Sequence, residues 1–204
     1  MSETPIIAVT GRSGSGKSTV AEYYRAQGYP VLDADREARA VTEPGSPVLA
    51  ELRQQFGADI LDDQGRLRRR LLAQRAFAAP EGTRALTRIT HPAIIARLLE
   101  GVERARRAGA PLCFVDGSTI IGEPFEPYCD AFVVVTAPEG DELARIQARD
   151  GISAGEARAR LQAQLPQETL AARADYLIVN DGTLEQLRRQ ARQVLTALLR
   201  QGGA

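Results

Sequence analysis

The run Gly11-Arg12-Ser13-Gly14-Ser15-Gly16-Lys17-Ser18 has the spacing G-x-x-x-x-G-K-[ST]. That pattern suits phosphate. Glycines leave backbone N–H groups unobstructed so that several converge on one anion, and a helix starting after the loop adds its positive end. Lys17 is placed to reach the β- and γ-phosphates of a nucleoside triphosphate, and Ser18, followed by Thr19, offers a hydroxyl to Mg²⁺. Lys17 is also the only lysine in the chain, the other 25 basic residues being Arg. A slim ammonium threads between phosphate oxygens where a planar guanidinium is too wide.

Four further constellations could take part in phosphoryl chemistry. Asp33 and Asp35 stand two apart at the end of a short apolar run, so in an extended chain both carboxylates project to one side. One could accept the proton of an attacking hydroxyl while the other positions it or a metal-bound water. The alternative is that Asp33-Ala34-Asp35 caps a following helix. Asp116 ends another apolar run, where a carboxylate can act on Mg²⁺ or its waters, although an Asp before Gly117 also suits a plain turn. Arg145 and Arg149, four apart, share one face of a helix that could close over transferring phosphates or merely face solvent; Arg158 and Arg160 read as solvated. His91 precedes Pro92, which biases it away from helical geometry and toward a helix boundary; a lone histidine there is more often structural. Cys113 reads as core and Cys129 as unreactive.

The elements that must position these residues follow from periodicity. Residues 5–10 form a short apolar run ending at Gly11, a strand buried on both faces, and 18–27 read as a helix stopped by Gly28. Val31-Leu32, 112–116, 131–135 and 176–179 are further strand candidates alternating with helices, which predicts a five-stranded parallel α/β sheet. Residues 36–109 turn helical and Arg-rich, with breaks at 43–47, 62–65 and 79–82. A helix over 139–150 stops at Gly151, and the capping box Ser153-Ala154-Gly155-Glu156 opens its successor, giving a helical flap. Thr183-Leu184-Glu185-Gln186 is a second box, opening a terminal helix with Leu184, Leu187, Ala191, Val194, Leu195 and Leu198 on one face. The expected organisation is a nucleotide-binding core (1–35, 110–138 and 171–204), a helical insertion (36–109) and a lid (139–170).

Composition narrows the class. With 26 basic against 26 acidic residues, 44% hydrophobic and 25% charged, the 204-residue chain has an ordinary globular makeup and no polybasic field for nucleic acid. The N-terminal segment lacks a basic region and a long apolar run, so a cytoplasmic protein without membrane attachment is expected. Two cysteines and one histidine cannot build a Cys/His zinc site within one chain. A guanine-type switch would need Asn-Lys-x-Asp, which a chain whose sole lysine is Lys17 lacks. A slow regulatory NTP switch is further disfavoured by the Arg-bearing flap, which would seal out water.

In order along the chain, the phosphate loop through Lys17-Ser18-Thr19, Val31-Leu32-Asp33-Ala34-Asp35 with Ala38-Arg39, Glu43-Pro44-Gly45, Thr90-His91-Pro92, Arg145 through Arg149-Asp150-Gly151, Gln164, and Ala174-Asp175-Tyr176 with Asn180-Asp181-Gly182 together resemble the dephospho-coenzyme A kinase family. The resemblance covers nearly the whole chain. It implies the three-layer P-loop kinase fold and transfer of the ATP γ-phosphate to the ribose 3′-hydroxyl of dephospho-CoA, with Mg²⁺ as cofactor and a monomer or weak homo-oligomer. It further implies Asp35 as general base, with Asp33 on the acceptor side and His91 near the acceptor or fixing the domain that holds it. The insertion would be the acceptor domain, Arg145 and Arg149 the phosphate-facing lid arginines, and the Asn180 turn the adenine site. Two segments depart from the family pattern. Gly11-Arg12-Ser13-Gly14 stands where Gly-Gly-Ile-Gly is usual, adding a cation beside the phosphates. After Asp116, Gly117-Ser118-Thr119-Ile120-Ile121-Gly122-Glu123 replaces Pro-Leu-Leu-Phe-Glu, leaving a kinase of another nucleoside-like or small hydroxyl acceptor as the alternative.

Overall fold

The computed structural model describes residues 4–201; the outermost residues assigned to the core from sequence, 1–3 and 202–204, lie outside that range. Five strands form one all-parallel sheet: β1 (Ile6–Thr10), β2 (Val31–Asp33), β3 (Cys113–Asp116), β4 (Ala131–Thr136) and β5 (Tyr176–Val179), in the order β2-β3-β1-β4-β5. β1 is buried along its whole length because it lies between β3 and β4, pairing Ile7 with Phe114 on one side and with Ala131 on the other. Its neighbours diverge to opposite sides of the order, so the chain leaving β1 emerges where ligands of open parallel sheets bind.

The chain divides into two compact units, residues 1–33 with 101–204, and residues 34–100. In the first, α1 (Lys17–Ala26) and α9 (Leu184–Gln201) cover the sheet, burying Val20, Tyr24, Leu187, Ala191 and Leu195 with Ile7, Val9, Phe114 and Val133. The Tyr24 ring stacks on Phe114 at 4.2 Å. Leu184, placed by periodicity on the buried face of α9, is 51% exposed. It occupies the first turn, beside Thr183 and Gln186, which exchange capping hydrogen bonds, and the helix has not yet reached the sheet's apolar surface. Three helices separate β4 from β5: α6 (Glu139–Asp150), α7 (Ala154–Gln162) and the short α8 (Gln167–Ala171). α6 and α7 share a small core of Leu143, Ile146, Ile152, Ala157 and Leu161. Gly151, at φ 64°, ends α6, and Ser153 and Glu156 cap α7 reciprocally, as the sequence predicts.

The second unit is helical: α2 (Ala34–Ala40), α3 (Pro47–Phe56), α4 (Arg69–Ala76) and most of α5 (Pro80–Arg107). Ser46 caps α3 through the Val48 N–H, and Val48, Leu52, Phe56, Ile60, Leu72 and Ala85 form its core. Two sequence expectations change here. The break at 79–82 is a helix start, with Pro80 in the first position, where its missing N–H costs nothing. His91-Pro92 marks no boundary, since α5 runs through both. Pro92 removes a hydrogen bond at a cost of about 3 kcal/mol. Leu86, Ile89, Ala93 and Ile94 on either side of it pack against the unit's core, and that burial outweighs the local penalty.

Candidate active site

The loop between β1 and α1 is shaped by close approach. Gly14 (φ +81°) and Gly16 (φ +99°) adopt left-handed backbone; a Cβ at Gly14 would lie 2.5 Å from the Glu142 carbonyl oxygen, and one at Gly16 2.3 Å from Asn180 Nδ2. Neither position tolerates a side chain. Gly16 caps α1 with no side-chain hydrogen bond, and the Thr19 N–H turns back to the Gly16 carbonyl at 3.0 Å, so the N–H groups of Lys17 and Ser18 are the ones offered to a ligand. A helix N-terminus so exposed attracts anions. Lys17, the first residue of α1, is 9% exposed; Ser18 beside it is exposed and Thr19 half-buried. Asn180, just past β5, is buried and donates from Nδ2 to the Ser15 carbonyl at 2.8 Å. Its side-chain amide therefore supports the loop, whatever its turn does for a base.

Asp33 and Asp116 come together in a way their spacing in sequence does not reveal. They are register partners at the carboxyl ends of adjacent parallel strands, and Asp116 is also opposite Val9 of β1, two residues before the loop. The extended chain from which a same-side relation of Asp33 and Asp35 is expected does not reach Asp35, because β2 ends at Asp33 and α2 starts at Ala34. The two-residue alternation of an extended chain stops there. Asp35 is exposed in the first turn of α2, where its charge complements the helix dipole, and His91 is half-buried in mid-α5.

α6 brings charge to the loop. Arg145 Nη1 donates to the Gly14 carbonyl at 3.0 Å, with Asp141 3.5 Å from its guanidinium. Arg149 is held by both oxygens of Asp150, at 2.8 and 2.9 Å. Arg160, read from sequence as solvated, reaches across from α7 to the same carboxylate, since an acidic hub between the helices favours a second cation. These arginine hydrogen bonds, Arg149 foremost, pull Asp150 down to about 2. Arg12 Nε lies 3.3 Å from Glu142, and its Nη2 lies 3.5 Å from Glu139. The Ser13 N–H donates to Gln164 Oε1 at 2.9 Å. Arg12, Gln164, Ser118, Thr119 and Leu170 border a cleft of about 320 Å³ beside the loop.

Sequence reasoning missed Glu142 and gave Gln164 and Asn180 no role toward the loop backbone. Glu142 sits in an acidic first turn, Glu139-Gly-Asp-Glu142, that reads as ordinary dipole compensation. No local signal marks which of these carboxylates turns inward. Cys113 and Cys129 are inert, burial being the main cause that pushes their thiols up to about 11 and about 12.

An uncapped helix behind a glycine-shaped loop, at the switch point of a five-stranded parallel sheet and beneath an arginine-bearing helix pair, defines a P-loop kinase. The sequence model of the dephospho-CoA kinase family matches residues 5–186, and the chain belongs to that family. A dephospho-CoA kinase of Anaeromyxobacter dehalogenans is 44% identical over 193 residues, covering 95% of this chain and 92% of that protein. A Thermus thermophilus crystal structure superposes with a TM-score of 0.83 at 38% identity, covering 96% of this chain and 98% of that one. The dephospho-CoA kinase of Campylobacter jejuni gives 0.69 at 25% identity, covering 96% and 97%.

Proposed function

We propose that this protein transfers the γ-phosphoryl group of ATP to the ribose 3′-hydroxyl of dephospho-CoA, releasing CoA and ADP. The observation that carries the phosphoryl half is the uncapped N-terminus of α1 behind a loop that only glycine can form. The family's own activity supports the acceptor half. Gly11 to Thr19 hold the triphosphate through backbone N–H groups, and Lys17 neutralises charge on the β- and γ-phosphates. Arg145 and Arg149 face the transferring group when the lid engages, Arg149 exchanging Asp150 for phosphate oxygens. Asp35 takes the hydroxyl proton as the ribose oxygen bonds to phosphorus and the bond from phosphorus to the ADP oxygen breaks. Asp33 and His91 belong to the acceptor side, residues 36–109 holding the acceptor and 139–170 forming the lid.

The residues present suit Mg²⁺. Ser18 and the adjacent Asp33 and Asp116 supply hard oxygen donors. Such an ion would be held mostly by phosphate and water. Ser18 would bind it directly and Asp116 directly or through water. When bound, Mg²⁺ supplies charge neutralisation across the β- and γ-phosphates. No helix among the described residues is long and apolar enough to cross a membrane; we place the enzyme in the cytoplasm as a monomer or weak homo-oligomer. The reading is tested by ADP release with dephospho-CoA, adenosine and simple polyols as competing acceptors. Dephospho-CoA should dominate in kcat/KM, and equal turnover of a polyol would reject the assignment.

A further inference from the structure

Three contacts, two of them from α6, grip Ser13 and Gly14 of the phosphate loop. Gln164 accepts from the Ser13 N–H, Arg145 donates to the Gly14 carbonyl, and the Glu142 backbone packs where a Gly14 Cβ would be. The fourth contact is of a different kind. The Glu142 side chain is wholly buried, its Oε2 lies 3.3 Å from Arg12 Nε, and the Arg12 side chain is only 11% exposed. Neither Glu142 oxygen accepts a hydrogen bond from the described residues. A buried carboxylate without hydrogen bonds is held by charge alone.

The charged groups around Glu142 are few. From the loop comes Arg12; from its own helix come Glu139, against Nη2 of the same guanidinium, and Arg145, engaged with Gly14 and Asp141. Arg12 is therefore the one cation aimed at this carboxylate from another element among the described residues.

We propose that Glu142 is a positioning residue for Arg12: ionised, it draws the guanidinium toward α6 and cancels its charge, and neutral, it releases Arg12 to the triphosphate as a second cation of the loop. The proposal rests on the loop binding nucleotide and not on which acceptor is phosphorylated. Burial pushes the Glu142 carboxyl up to about 7 against the opposing pull of Arg12, so both states are populated near neutrality. The sign follows from linkage. Nucleotide brings negative charge, which favours the protonated carboxyl, so affinity rises as pH falls through about 7.

The test is the equilibrium affinity for Mg-ATP, measured by calorimetry from about one pH unit below neutrality to about one above. Wild type, E142Q, R12G and R12G/E142Q are compared. The ATP γ-phosphate titrates in the same window, so the readout is the difference between proteins at each pH. E142Q keeps the shape of the side chain and has no hydrogen bond to lose. It should match wild type at the acid end and bind roughly three- to tenfold tighter at the alkaline end, the scale of one nearby charge in a partly solvated site. In the R12G background the same replacement should have no effect. Weaker binding by E142Q at every pH would show that the pair only shapes the loop and would overturn the proposal, as would an equal effect of E142Q with and without Arg12. Should E142Q fail to fold, wild type against R12G decides: R12G must lose the alkaline fall in affinity. Because calorimetry reads nucleotide alone, this result stands apart from the acceptor assignment.

Discussion

Lys17 is the residue on which the proposed phosphate chemistry turns most sharply. A chain that uses Arg at its 25 other basic positions keeps one ammonium, at the buried first residue of α1, behind an uncapped helix start. Lys17→Arg preserves charge but puts a wider, planar group into that space. Its kcat should fall by roughly tenfold or more, measured by steady-state ADP release, while thermal stability stays close to wild type. Asp35, the base of the proposed reaction, is exposed in the first turn of α2. Asp35→Asn should lower kcat by roughly 10²–10⁴, the usual worth of a general base, and leave the affinity for ATP unchanged. A kcat within a few-fold of wild type would move the base role elsewhere, with Asp33 beside Asp116 the next candidate.

The loop and α6 act as one element. Gly14→Ala forces a methyl group to within 2.5 Å of the Glu142 carbonyl oxygen in a left-handed conformation, so either the loop or the helix must move. ATP binding should be lost, by calorimetry, in a protein that still melts cooperatively. Ser153→Ala deletes the reciprocal cap of α7; it should cost about 1 kcal/mol, seen as a lowered Tm. This is also where sequence reading reached its limit. The phosphate loop, the five strands, the stop at Gly151 and the Ser153 box rest on local chemistry, each within a few residues, and the structure has them as read. Asp33 beside Asp116, Asn180 on the Ser15 carbonyl, and Glu142 against Arg12 pair residues more than eighty positions apart. Strand register and helix rotation decide those, and neither leaves a local trace. His91-Pro92 failed for the opposite reason: the local rule is sound, but the apolar face of α5 overrode it.

At the scale of the molecule, the described chain divides its tasks. Residues 1–33 and 101–204 build the sheet, the phosphate loop and the arginine-bearing helices, whereas residues 34–100 form a separate helical unit with its own core. A P-loop alone marks only nucleotide binding; in the proposed reaction the carboxylates Asp33 and Asp35 and the arginines Arg145 and Arg149 supply the rest of phosphoryl transfer. The departures at Arg12 and at 117–123 border a single cleft beside that loop. The most direct measurement is mass spectrometry of the product formed from Mg-ATP and dephospho-CoA, with the site of modification assigned by fragmentation. A single phosphate should be added at the ribose 3′-position, in step with ADP formation. ADP without phosphorylated acceptor at saturating substrate, or a phosphate elsewhere on the molecule, would contradict it.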